Sequence, residues 1–167
     1  MSAVSLLVAV VVIAAGCGGS SETKKANREW ANAVCTSIGA WKKEVHSTYT
    51  NLNPGFTPSE RLHQAIGATQ ALVTQLKTIG LPDTKQDMKA QEQFEKTAAD
   101  LQKQLDQIEA DAKKLASGNV AGATKLLGQL QAVTGSVVAA LKELRQVVSA
   151  DLAVALATTK SCRNLGS

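Results

Sequence analysis

Hydrophobic residues recur along most of this chain at helical spacing. Trp30, Val34, Ile38, Trp41, Val45, Tyr49 and Leu52 follow one another at steps of three or four, which places them on one face of a helix of period 3.6. A first helix is therefore predicted over about residues 24–51. Asn53-Pro54-Gly55-Phe56 ends it, because proline fixes its own φ and steers the preceding residue away from helix. Thr57-Pro58-Ser59-Glu60 reads as a capping box with proline at the first helical position. The second helix starts there, carries the stripe Leu62, Ile66, Thr69, Val73, Leu76 and Ile79, and stops at Gly80-Leu81-Pro82.

Asp83 is the expected cap of a third helix, whose stripe Phe94, Ala98, Leu101, Leu105, Ile108, Ala112 and Leu115 alternates steps of four and three. That is the heptad spacing of a packed seam. Ser117-Gly118-Asn119 breaks the chain again, and a last helical region is predicted from about 120 to 159. Its stripe of Leu126, Leu130, Val133, Val137, Leu141, Leu144, Val148 and Leu152 contains repeated steps of four, nearer 3.67 than 3.5 residues per turn, and a bend is expected near Gly135. Short links between long helices favour antiparallel neighbours. The expected fold class is all-α, an elongated up-down-up-down four-helix bundle over 25–167, with a third helix of about 33 residues and roughly 50 Å.

At 167 residues the chain suits one domain. Only 3% of it is aromatic, so the core must be built of aliphatic side chains, with Trp30 and Trp41 as its large members. The formal charge of +4 is spread among interleaved acids and offers no electrostatic track for nucleic acid. Eight of the acids and six of the bases lie between Asp83 and Lys114, which predicts a solvated outer face for the third helix.

From Ala3 to Ala15 the chain is apolar apart from Ser5, and the first charged side chain is Glu22. This run is shorter than the roughly 20 residues needed to span a bilayer and ends in small residues, as an export signal does. Ile13-Ala14-Ala15-Gly16-Cys17-Gly18-Gly19-Ser20-Ser21 resembles the lipobox of bacterial lipoproteins, with Ala14 where Leu or Val is usual. The resemblance implies a signal peptide over 1–16, lipidation of Cys17, a tether over 17–24, and attachment through lipid to the extracytoplasmic face of the cell membrane. With Trp30-Ala31-Asn32-Ala33-Val34-Cys35 and a late cysteine, the chain resembles small lipoproteins of high-GC Gram-positive bacteria, a resemblance that implies no particular activity.

Lipidation of Cys17 would leave Cys35 and Cys162 as the remaining cysteines, and outside the cytoplasm such a pair oxidises. The bundle topology agrees: Cys35 lies a few turns into the first helix and Cys162 at the end of the last, both toward the lipid end. Joining them removes about 5 kcal/mol of unfolded-state freedom in the chain-entropy model. Lys24, Lys25, Arg28, Lys160 and Arg163 return to that end and could meet anionic headgroups.

Candidate chemistry is sparse. Gly118-Asn119-Val120-Ala121-Gly122-Ala123-Thr124-Lys125 departs from a phosphate loop in spacing and in the order of Thr and Lys, and reads as a helix start. His46 and His63 flank the turn at Pro54 at similar distances; with Glu44 or Glu60 they are the residues that could hold zinc or copper. A haem held by Met88 and a histidine would need opposite ends of the bundle to meet. A nucleophilic triad needs a base close to a Ser, Thr or Cys, and with only two histidines and both remaining thiols bridged it finds little support. The expected function is a non-enzymatic, cofactor-free binding or structural module that meets an envelope protein or ligand. The alternative is a small-ligand or metal carrier using the distal end around His46 and His63.

Overall fold

The structure is a computed structural model and describes residues 21–50, 55–82, 88–116 and 118–166. Cys17, the expected signal segment and the expected cap at Asp83 lie outside these residues. The fold is an all-α helical bundle: α1 (Ser21–Thr50), α2 (Pro58–Ile79), α3 (Met88–Lys113), α4 (Val120–Val147), α5 (Ala150–Thr158) and α6 (Lys160–Arg163), closed by a 3-10 turn (Asn164–Gly166). Helix α1 begins at Ser21, so the stretch from Ser21 to Lys24, expected as tether, is helical. Helix α3 has 26 described residues, roughly 39 Å at 1.5 Å per residue.

The predicted stripes form the core. Val34, Ile38, Trp41 and Val45 of α1 are buried, as are Leu62, Val73 and Leu76 of α2, Leu101, Leu105 and Ile108 of α3, and Leu126, Leu130, Val133 and Val137 of α4. At the end of the first stripe the expectation fails: Tyr49 is exposed and Thr48 is buried in its place, its hydroxyl donating back to the Val45 carbonyl at 2.8 Å. Thr69, fully buried, is satisfied twice. It accepts from Trp41 Nε1 at 2.9 Å and donates to the Ala65 carbonyl at 2.7 Å.

Two indole hydrogen bonds set the register of α1 on α2. Trp41 reaches Thr69, and Trp30 Nε1 donates to the carbonyl of Gly80; advancing along α1 while retreating equally along α2 links the two pairs, which makes the helices antiparallel. Gln70–Glu109 and Lys77–Gln102 do the same for α2 and α3. Helix α4 packs against both α3 and α2, completing the bundle, and α5 and α6 cover α1.

The fourth helical region is not one rod. It runs unbroken through Gly135 and breaks instead at Val148 and Ser149, both extended. Two adjacent β-branched valines weaken the helix there, while Ser149 and the following Asp151 favour a new helix start. Thr158-Thr159 ends α5 in the same way, with Thr159 extended and its hydroxyl bonded to the Ala155 carbonyl at 2.7 Å.

The C-terminal segment then climbs along α1. Ser161 bonds Asn32 at 3.0 Å, Cys162 is joined to Cys35, Leu165 packs 3.4 Å from the Cβ position of Gly39, and Lys42 donates to the Leu165 carbonyl at 3.0 Å. The expected pairing of Cys35 with Cys162 is present, closing a separation of 127 residues. It sits near the middle of α1 because the tail doubles back. Replacing both cysteines by Ala should lower the unfolding free energy by about 2–5 kcal/mol, measured by urea denaturation of each form.

The capping box at α2 forms as expected. The Thr57 backbone N–H and hydroxyl donate to the Glu60 carboxylate at 2.7 and 2.9 Å, and the Glu60 N–H donates to the Thr57 hydroxyl at 3.3 Å. These bonds, the backbone one first, hold the Glu60 carboxyl below its ordinary value of 4.5. A folded-state pKa below the unfolded one stabilises the fold above the unfolded value, and that contribution is lost as pH falls through the folded value. Carboxyl NMR should show Glu60 titrating below 4.5 and moving upward in the Thr57→Ala variant.

Candidate functional site

Helix α2 is short. It stops at Gly80, with φ at 55°, where Trp30 of α1 binds the Gly80 carbonyl, whereas α3 extends past that level toward Met88. Below the end of α2, Phe94 of α3 packs directly on Trp30, with ring centroids 6.0 Å apart. Ala98 and Ala99 bring only methyl groups to the place where α2 stops, and a groove of about 480 Å³ is left between α2 and α3. That volume lies in the range of small-molecule sites, which are typically about 300–1,000 Å³.

The floor of the groove is apolar: Leu76, Leu81, Phe94 and Ala98 line it. Its rim carries Lys77 and Lys103 against Glu95 and Asp106, so the flanking formal charges cancel. The acids are also engaged. Gln91 donates to Glu95 at 2.9 Å and Gln102 to Asp106 at 2.8 Å, part of an i,i+4 ladder of amides and carboxylates that continues with Gln107 and Asp111 at 3.1 Å. The arrangement can hold an apolar body without demanding a charged head.

His46 and His63 are both exposed. Continuing the Trp41–Thr69 register five residues toward the end of α1 brings His46 level with Gln64, next to His63, so the two histidines do share a height, as their distances from Pro54 implied. Among the described residues, however, no three His, Cys, Asp or Glu side chains are grouped as a metal site. Glu60, one of the acids that could have joined them, is taken up by its capping box. The ligand-sized groove between α2 and α3 lies toward the other end of α2.

The remaining sequence candidates fall into structural places. The glycine-rich stretch before Lys125 starts α4, with the Asn119 side chain accepting from the Gly122 N–H at 2.9 Å. Trp30 and Trp41 are core residues. Met88 begins α3. Cys17 lies outside the described residues. Lys25, one of the basic residues beside it in sequence, faces Glu29 at 3.8 Å on the exposed surface of α1.

Sequence reasoning missed the groove. Its signal was present as a difference of length, since α2 is bounded by a capping box and a Gly-Leu-Pro stop while the α3 stripe begins well below that stop. Small residues at Ala98 and Ala99 mark the spot. Compared with known protein families, with curated proteins and with solved structures, the chain matches none. Zinc titration of the protein, followed by calorimetry, is expected to give binding no tighter than millimolar and unchanged by replacing both His46 and His63 with Ala; micromolar binding lost in that variant would establish the carrier alternative.

Proposed function

We propose that this chain is an exported, lipid-anchored binding module of the bacterial cell envelope. It holds a small, largely apolar and uncharged ligand in the α2–α3 groove and performs no catalysis. The groove carries this reading: an apolar floor of ligand size with a charge-balanced rim favours an apolar occupant and gives no electrostatic gain to an ionic one. The Cys35–Cys162 bond supports export, because disulfides form and persist in oxidising compartments. The lipobox-like segment ending in Cys17 supports the anchor, and diacylation would supply the two chains that stable attachment takes. None of the described helices is long and apolar enough to cross a membrane, so on this reading attachment rests on the lipid.

Helix α1 starts at Ser21, leaving only three residues after Cys17 before the first helical turn. The tether is therefore short, and the bundle would stand close to the bilayer surface, with Lys24, Lys25 and Arg28 near the headgroups. Two measurements test the two halves of the proposal. Cells fed labelled palmitate should label the wild-type chain and not the Cys17→Ala variant; equal labelling of both removes the anchor. The neutral fluorophore N-phenyl-1-naphthylamine should brighten on binding the purified protein, and Ala99→Trp, which fills the groove from its exposed rim, should abolish most of that signal. Brightening unaffected by that substitution removes the groove as the site.

A further inference from the structure

On the far side of the molecule, α4 and the returning C-terminal segment enclose a second pocket of about 170 Å³. Its floor is Val138, Leu141, Leu156 and Leu165, with disulfide-bonded Cys162 beside them. Its other lining residues are three cations, Lys142 and Arg145 from α4 and Arg163 from α6, with no carboxylate among them. Lys142 and Arg145 share a helix face at i,i+3 spacing. Arg163 is brought to them by the covalent bond at its neighbour Cys162.

Three cations gathered round one pocket with no carboxylate among its lining residues make a local positive field. Among the described residues none of these three side chains makes an ion pair or a hydrogen bond. The nearest acid in sequence, Glu143, lines the opposite groove between α3 and α4 with Lys96 and Asp100. Guanidinium groups bind oxyanions through paired N–H donors, which a lone lysine cannot match. The aliphatic floor adds a second requirement, since a bare inorganic anion would leave Leu141, Leu156 and Leu165 in contact with nothing it can offer.

We propose that the Lys142–Arg145–Arg163 pocket is a binding site for the phosphate head of an amphiphile, with the first carbons of its chain lying on Leu141, Leu156 and Leu165. This site is separate from the α2–α3 groove and does not depend on lipidation of Cys17. It does depend on the Cys35–Cys162 bond, which positions Arg163, so reduction opens the site.

Calorimetry on the full chain in a neutral detergent tests it, with hexyl phosphate, inorganic phosphate and hexanol as probes and a detergent-only blank. Hexyl phosphate is expected to bind roughly tenfold or more tightly than either of the others, because only it meets both the cations and the floor. Its affinity should fall by about tenfold in Arg145→Ala/Arg163→Ala and on reduction of the disulfide, and weaken with added salt. Glu143→Ala, facing the other groove, should leave it unchanged. Should the double variant fail to fold, the single exposed change Lys142→Ala serves, with a severalfold weakening expected. Equal binding of inorganic phosphate would make this a free-anion site and overturn the amphiphile; equal binding of hexanol, or affinity indifferent to the cation variants, would overturn the site.

Discussion

The hydrogen bond from the Trp30 indole to the Gly80 carbonyl decides more of this molecule than its size suggests. It satisfies a buried donor, which would cost about 1–3 kcal/mol if left alone, and binds the last carbonyl of α2 where that helix would otherwise end unsatisfied. In doing so it pins the point at which α2 stops against α1. Beyond that point α3 packs on α1 through Phe94 and Trp30, and a groove lined by Ala98 and Ala99 is left beside the end of α2. The groove is thus a consequence of one helix ending early against a fixed mark.

Trp41 provides the second mark. Its bond to Thr69 explains why a threonine stands in the middle of an apolar stripe, a position where valine would pack equally well but would leave the indole N–H unpaired. With only 3% aromatic residues, the bundle places its two large indoles where they specify register as well as fill space. The aliphatic remainder of the core gives burial but little directional preference, since leucine and valine tolerate sliding that a paired N–H does not. Asn27, buried with both amide atoms unpaired among the described residues, is the opposite case: a polar group in the core that no register requirement explains.

The helices and their core faces were legible in the sequence because period 3.6 burial, proline and the Thr57–Glu60 box are local signals, each confined to a few residues. The division of the last helix was written locally too, in Val147-Val148-Ser149 and Thr158-Thr159, but the unbroken apolar stripe through Val148 and Leu152 outweighed it. A stripe reports which side of a segment is buried and is indifferent to whether the segment is one helix or two. The groove and the cationic pocket were not legible for a different reason. They arise where elements end relative to one another, and Arg163 meets Lys142 and Arg145 only because the chain reverses direction after α4.

That reversal gives the disulfide a role beyond loop closure. A bond at the end of a straight fourth helix would tether two ends of a rod. Here it fastens a strip from Ser161 to Leu165 along the middle of α1, where Asn32 and Lys42 hold it on either side. The strip buries Leu165 against α1 beside Gly39. Four helical residues and one 3-10 turn have too few internal hydrogen bonds to persist alone, so their position is imposed by Cys162 and the Leu165 contact. The two sides of the molecule therefore differ in kind: the α2–α3 groove is set by where helices end, while the pocket at Arg163 is set by a tail that the Cys35–Cys162 bond and the Leu165 contact fasten to α1.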